Sequence, residues 1–462
     1  MTVTKIRQWI QEPVSIAPLA NFRVLFGIMM VLSTIRFWMK GWVMTQYVDP
    51  AFHFTFMGFD WVQPLGATGM YAVFLIMGIS ALLVALGLYY RISIIVFFLL
   101  FSYVELIDVT YYLNHYYFVS VISFLMIWLP AGRFFSLDVW RNPAIEVTLV
   151  PRWITGTIRL QLGLVYFFAG LAKLNADWLF EAMPMKIWLP TKSHLPLIGN
   201  LMYEDWVAYL FSWFGAIYDL FIVFFLLNKR TRKYGYIAVL IFHIATAIFF
   251  PAIGMFPYIM MVCTLIFFSA ADQLKLIYVV RDFSELIWYK ISGRTAVAFK
   301  ALQDKSYQSA HQKLMLRFLM VFFFFQLILP LRYLAYPGPL FWTEEGYRFS
   351  WRVMLMEKVG TANFYVREAK TGKTYEVNNR EFLSTQQEKM MSTQADLILR
   401  YAHYLAKVYA ARGIIDPEVY GESYVTLNGS RSAPFIDPQV NLAVQPLSFK
   451  HYQWILPFNS TP

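Results

Sequence analysis

Between the N-terminus and Pro330 the chain alternates long apolar segments with short polar ones. A helix needs about 17 to 25 mostly apolar residues to cross a bilayer. The segments of that kind are 18–40, 70–90, 92–112, 114–130, 153–174, 205–227, 234–250, 252–270 and 314–334. Little polar sequence separates the segments on either side of Asn114 and of Pro251, so eight spans is the alternative to nine. The pattern predicts a polytopic α-helical membrane protein with a transmembrane domain at 1–334.

The pattern changes after Pro330, where no further segment is long and apolar enough to span a bilayer. Residues 361–377, TANFYVREAKTGKTYEV, alternate around a Thr-Gly turn and predict a β-hairpin. Residues 392–413, STQADLILRYAHYLAKVYAARG, have helical apolar spacing and end in a glycine, which predicts a helix. We expect residues 335–462 to form a C-terminal extracytoplasmic α+β domain.

Composition supports this class, because 58% of the residues are hydrophobic, 19% aromatic and only 15% charged. The net charge of +11 raises the question of nucleic acid. However, the basic residues concentrate in alternate loops, and the opposite loops carry only Lys186 and Lys192. Because basic residues mark cytoplasmic loops, we expect a cytoplasmic N-terminus and, with nine spans, an external C-terminus. The expected partner is the lipid bilayer and not nucleic acid.

Several polar residues lie where hydrocarbon should reject them, since a charge at mid-bilayer costs about 2.5 to 3.5 kcal/mol on insertion scales. They are Glu105, Asp108, Asn114, His115, Lys173, Asp219 and His243. Most fall near the predicted external ends of their spans. We expect several of them to cluster around a cavity beneath the C-terminal domain.

Two interpretations of Lys173 remain open. In the first, its stem lies along lipid and its ammonium snorkels to the headgroups, paired with Asp177 one turn later. In the second, an apolar pocket disfavours the charged form, and the neutral amine acts as a base toward a weakly acidic phenol. Sequence physics alone favours the first.

Other polar residues have simpler interpretations. His115 and His243 lack further ligands at zinc-like spacing, so we expect no metal site. We interpret Asp108 and Asp219 as partners of buried donors such as Arg159, or as contacts between helices, rather than as proton carriers.

Several segments resemble the vitamin K-dependent gamma-glutamyl carboxylase family with its horizontally transferred transmembrane domain. They are GLYYRIS at 87–93, Leu106-Ile107-Asp108, Asn114-His115, VYFFAGLAKLNADW at 165–178, Phe242-His243, IGMF at 253–256, Trp342-Thr343, Tyr347, Ser350-Trp351 and Asp437-Pro438. The segment at 165–178 is the most specific, because it is similar to the family segment with the catalytic lysine, which falls on Lys173. The likeness covers about residues 70 to 455.

The resemblance implies that a lysine amine deprotonates vitamin K hydroquinone and that the anion reacts with O2. The strong base so formed removes the γ proton of a peptidyl glutamate, CO2 traps the carbanion, and the quinone leaves as its epoxide. By this resemblance Lys173 is catalytic, and Asn114, His115 and His243 orient the oxygenated quinone. The resemblance also implies a supporting polar shell of Asp108, Arg159, Gln161, Asp177 and Asp219. The implied co-substrates are vitamin K hydroquinone, O2 and CO2, and the implied partners are a membrane quinone and a glutamate-containing peptide or protein.

Departures from the family pattern set the remaining expectations. Animal carboxylases continue after Asp437-Pro438 into a large luminal region, so we expect no propeptide recognition of the animal type. Cys263 is the only cysteine, so the family's external disulfide cannot form. These features resemble a short prokaryotic member in a plasma (inner) membrane, with the endoplasmic reticulum membrane as the alternative.

The acceptor site and the complete reaction stay open at this level. We expect Trp351, Tyr420 and Arg431 to face the acceptor, although surface packing explains each of them equally well. One alternative function is a hydroquinone epoxidase without glutamate carboxylation. Another is a quinone-binding membrane protein without catalysis, in which Lys173 only snorkels.

Overall fold

The computed structural model describes residues 2–279, 282 and 304–458. The first part of the chain is a helix bundle in which two short strands, β1 (Pro13–Ser15) and β2 (Leu149–Pro151), pair antiparallel. Its helices are α1 (Val3–Gln11), α2 (Ala17–Met39), α3 (Trp42–Tyr47), α4 (Gly66–Leu86), α5 (Tyr90–Ile107), α6 (Asn114–Trp128), α7 (Leu137–Arg141), α8 (Arg152–Ala172), α9 (Ala176–Leu179), α10 (Met185–Trp188), α11 (Asp205–Leu227), α12 (Arg232–Phe249), α13 (Phe256–Cys263), α14 (Ala270–Val279) and α15 (Gln312–Ile328).

Seven helices in the described part of the chain are long and apolar enough to cross a membrane: α2, α4, α5, α8, α11, α12 and α15 with its continuation to Ala335. The segment Phe256–Phe267 and α14 meet at 116° and add an eighth if they form one bent span. Within the described residues, the helices that meet this length and composition requirement therefore number seven or eight, against nine predicted segments and the alternative of eight. Segment 114–130 makes the difference, because it forms α6, whose 15 residues reach only about 22 Å, short of a ~30 Å hydrocarbon core. The polytopic helical class is confirmed.

The spans differ in how far the protein encloses them. In the most apolar stretch of α8, 61% of the residues are buried, against 17% in α15. α8 carries the lysine segment at its C-terminal end. That segment therefore follows a helix in the interior of the bundle rather than one at its lipid-facing edge.

The C-terminal part is an α+β region, as predicted. Strands β3 (Lys358–Glu368), β4 (Thr374–Glu376), β5 (Pro417–Leu427) and β6 (Ala433–Pro434) form an antiparallel sheet in the order β4-β3-β5-β6. Its helices are α16 (Leu340–Thr343), α17 (Thr385–Met391) and α18 (Ala395–Ala411). The predicted hairpin is β3–β4, and the predicted helix is α18; both are confirmed. The long partner strand β5 was not predicted.

The C-terminal region is packed onto the bundle. α18 buries Leu397 and Tyr401 in one core with Phe364 of β3, and Phe54, from the connection between α3 and α4, belongs to the same core. Apolar burial across this join is the main favourable term that holds the two parts together. The join lies at the end of the bundle where α5 ends and α6 begins.

Candidate active site

Lys173 directly follows the last residue of α8, and the protein encloses its amine. The Nζ atom donates hydrogen bonds to Asp219 Oδ2 at 2.7 Å and to the carbonyl oxygen of Ala169 at 3.3 Å. The residue is 6% exposed, and Nζ lies 5.4 Å from the ring centroid of Trp178. A snorkelling lysine would carry its ammonium to the headgroups. The snorkelling interpretation is therefore wrong.

A close approach of two helices brings the carboxylate to this amine. Asp219 lies on α11, 46 residues after Lys173. A Cβ atom at Gly170 of α8 would lie only 2.7 Å from the backbone nitrogen of Leu220, so the helices can be this close only because Gly170 has no side chain. The predicted pairing of Lys173 with Asp177 is wrong.

A histidine and two tyrosines extend this polar cluster. His243 of α12 is fully buried, and its Nε2 lies 3.1 Å from Tyr166 Oη. The Tyr218 ring, next to Asp219 in sequence, lies 5.9 Å from the Tyr166 ring and 6.2 Å from the His243 ring. His243 Nδ1 has no hydrogen-bond partner within the described residues. Since buried polar atoms are normally paired, this nitrogen can accept or donate a hydrogen bond to a ligand.

His115, the other predicted histidine, lies near the same aromatic residue as His243. The Phe256 ring lies 5.7 Å from that of His243 and 6.1 Å from that of His115. Asn114 points elsewhere, because its Nδ2 donates to the backbone oxygen of Arg352 at 2.7 Å. In the ranges that the structure describes, no group of three or more His, Cys, Asp or Glu side chains is arranged to hold a metal ion.

Two predicted supporting residues have other partners. Asp108 accepts a hydrogen bond from Gln387 Nε2 at 2.7 Å, which ties the end of α5 to the C-terminal region. Arg159 donates to the backbone oxygen of Ile266 at 3.0 Å. Arg159 is therefore not the donor for Asp108 or Asp219, but both carboxylates accept hydrogen bonds from other buried donors, as predicted.

Asp177 and Asn428 form another link between the two parts of the chain. The Asn428 Nδ2 donates to Asp177 Oδ2 at 2.7 Å. Asn428 follows β5 directly, and Asp177 lies in α9, four residues after Lys173. The C-terminal region therefore reaches the lysine segment itself.

Gln161 and Trp351 belong to one chain of contacts inside the protein. Gln161 Nε2 donates to Gln326 Oε1 at 3.3 Å, and Gln326 Nε2 donates to Tyr117 Oη at 3.0 Å. The Trp351 ring stacks on that of Tyr117 at 4.6 Å. Trp351 is only 1% exposed, so it is a packing residue and not part of the outer surface.

The other two predicted acceptor residues lie on the sheet and its turn. Tyr420 of β5 is half-buried, and its hydroxyl donates to Glu418 at 3.2 Å. Arg431, in the turn between β5 and β6, is exposed. No described contact joins these residues to Trp351. The structure does not bring the three residues together.

A cavity of about 350 Å³ adjoins the lysine segment. This volume lies near the lower end of the range of ~300 to 1,000 Å³ for ligand pockets. Ala172 and Leu174, the two chain neighbours of Lys173, are part of its wall, as is Asp177. Leu427 and Phe458 of the C-terminal region are part of the wall as well. The cavity is therefore shared between the bundle and the C-terminal region.

Sequence reasoning missed two features of this site. Arg352 lines the cavity, is 8% exposed, and lies with its guanidinium 4.3 Å from the Tyr333 ring centroid. Burial lowers the pKa of Arg352, and Tyr333 opposes that shift; an arginine nevertheless stays a cation at neutral pH. Tyr166 was also missed, although it lies two helical turns before Lys173, a spacing that puts both on one face.

The fold and the site define a multi-pass membrane protein with an enclosed basic group on a segment that lines a cavity. Two family models match the chain: the HTTM domain over residues 11–271, and the vitamin K-dependent gamma-carboxylase lumenal domain over residues 311–461. The chain belongs to the vitamin K-dependent gamma-carboxylase family, which confirms the resemblance. No solved structure matches it. A prokaryotic origin and the domain boundary at 335 stay predictions.

Proposed function

We propose that the protein carboxylates glutamyl residues of a peptide or protein and drives this reaction by O2-dependent epoxidation of vitamin K hydroquinone. The observation that carries the proposal is the enclosed amine of Lys173, whose two chain neighbours line a cavity. A base that deprotonates a phenol, and so forms a reactive anion, works best where water is excluded. The membership of the carboxylase family supports an enzyme of this kind.

Lys173 and Asp219 together form the proposed base. A proton can move along their 2.7 Å hydrogen bond onto the carboxylate, which leaves an uncharged amine. That amine then accepts the hydroxyl proton of the hydroquinone, and Asp219 keeps the amine oriented. Since Gly170 fixes the distance between the two helices, the pair is in place before any ligand arrives.

His243 and its aromatic neighbours suit a flat, apolar ring with polar oxygens. The unpaired Nδ1 of His243 is available for a ring oxygen, and Tyr166 holds the other ring nitrogen. Phe256 and Tyr218 supply aromatic faces beside it. When bound, vitamin K hydroquinone would supply the electrons that reduce O2, and this oxidation would generate the strong base that deprotonates the glutamate.

Product analysis tests the proposal. Purified protein with reduced vitamin K, O2, labelled bicarbonate and a glutamate peptide should produce both vitamin K epoxide and labelled γ-carboxyglutamate. Lys173→Ala should abolish both products per mole of folded protein, whereas Lys192→Ala, which changes a half-exposed lysine in the following loop, should retain both. Epoxide without carbon fixation would select the epoxidase alternative. Quinone binding without either product would select the non-catalytic one.

We also infer that the N-terminus is cytoplasmic and that the C-terminal region lies outside the cytoplasm of a plasma membrane, an arrangement that requires an odd number of membrane crossings. The distribution of Lys and Arg among the loops supports this placement. So does the position of the cavity, because a peptide acceptor and a lipid-soluble quinone would meet where the bundle joins the C-terminal region.

A further inference from the structure

Arg352 presents a cation to the cavity without a counter-ion. Its Nε has no hydrogen-bond partner, its side chain shares a hydrogen bond with that of Tyr333, and no ion pair of its guanidinium is found in the described part of the chain. By contrast, the guanidinium of Arg348, four residues earlier, forms an ion pair with Asp396 at 2.6 Å. An enclosed cation without an anionic partner costs free energy. An anionic ligand in this cavity would recover that cost.

The chain holds this arginine in place from both sides. Asn114 Nδ2 donates to the Arg352 backbone oxygen at 2.7 Å, and the preceding Trp351 is stacked on Tyr117. The guanidinium itself lies against the Tyr333 ring. A group that is fixed before binding loses little conformational freedom when the ligand arrives.

The cavity also contains a hydrogen-bond acceptor that does not neutralise Arg352. Asp177 lines the wall, but its carboxylate is bonded to Asn428 and forms no ion pair with the arginine. The site thus offers a cation at one place and an acceptor at another. A peptide residue that carries a side-chain carboxylate and a backbone N–H matches this arrangement.

We infer that Arg352 binds the side-chain carboxylate of the acceptor glutamate and that Asp177 accepts a hydrogen bond from its backbone. This inference rests on the proposed function for the identity of the acceptor. The 350 Å³ cavity has room for about twelve water molecules at ~30 Å³ each, which suits one side chain with its adjoining peptide units. Since Ala172 and Leu174 line the same cavity, the bound side chain lies beside the segment that carries Lys173. A guanidinium forms two parallel hydrogen bonds with a carboxylate, so Arg352 distinguishes glutamate from glutamine.

Fluorescence anisotropy on the purified full-length protein tests this subsite without any turnover. The probes are two short labelled peptides that differ only in a central glutamate or glutamine. The wild type should bind the glutamate peptide about 30-fold more tightly or better, because a buried charge pair that loses one partner weakens by at least that factor. Arg352→Gln should bind both peptides equally weakly, and Arg352→Lys should keep a reduced preference for glutamate. Arg380→Gln, an exposed arginine of the C-terminal region, is the matched control and should behave as the wild type.

Several results would overturn the inference. These are equal affinity of the wild type for both peptides, no measurable binding, or an unchanged preference in folded Arg352→Gln. Competition by phosphatidylethanolamine that Arg352→Gln abolishes would instead assign the site to a lipid headgroup, which carries a phosphate and an ammonium. If carboxylation proceeds in Arg352→Gln with an unchanged KM for the peptide, the subsite fails while the proposed function stands. If Arg352-dependent glutamate binding occurs without carbon fixation, the proposed function fails while the subsite stands.

Discussion

Replacing Asp219 with leucine should leave the Lys173 ammonium buried without a counter-charge. The two side chains are only 7% and 6% exposed, so solvent screens their interaction little. Removing one partner of a buried ion pair costs about 3 to 5 kcal/mol, whereas replacing both partners with apolar residues of similar volume is often near neutral. We expect Asp219→Leu and Lys173→Met each to lower the free energy of unfolding by about 3 to 5 kcal/mol. The double variant should lose much less than the sum.

Reversible unfolding in mixed micelles, followed by tryptophan fluorescence, measures the free energy of unfolding of the wild type and the three variants. If the costs of the single variants simply add, the two side chains do not form the enclosed pair and the reasoning is refuted.

Two further predictions concern the helix contact and the orientation. Gly170→Ala should lower the free energy of unfolding by about 1 to 3 kcal/mol and reduce epoxidation, because its Cβ would lie 2.7 Å from the Leu220 backbone. The control Gly156→Ala, with open space around it, should leave the free energy of unfolding unchanged or raise it by up to about 1 kcal/mol. Thermal unfolding and product analysis check both variants. A cysteine at exposed Arg431 in a Cys263→Ser background should react with a membrane-impermeant maleimide in intact cells, and labelling only after lysis would contradict the external placement.

The sequence predicts what depends on neighbours along the chain. The hairpin β3–β4 and helix α18 follow from alternation, helical spacing and turn residues, which are local signals. The nine predicted segments exceed the seven or eight long apolar helices of the described residues at α6, because hydropathy alone does not give the length of a helix, which is 15 residues here.

The partners of buried polar groups could not be predicted, because they come from distant parts of the chain. The sequence predicts Asp177 as the partner of Lys173, because side chains four residues apart are neighbours on one face of a helix. The actual partner, Asp219, depends on how α8 packs on α11. Burial in a loop is equally hidden in the sequence, which is why Trp351 was expected at the surface and Arg352 was overlooked.

The join between the two parts of the chain is itself a wall of the cavity. The helical part contributes the neighbours of Lys173, Ala172 and Leu174, and the C-terminal part closes the other side with Leu427 and Phe458. A bundle without this cover would keep its lysine and carboxylate but would admit water, which returns protons to reactive anions. Substitutions that loosen this join far from Lys173 should therefore lower the amount of carboxylated product per epoxide formed before they abolish epoxide formation.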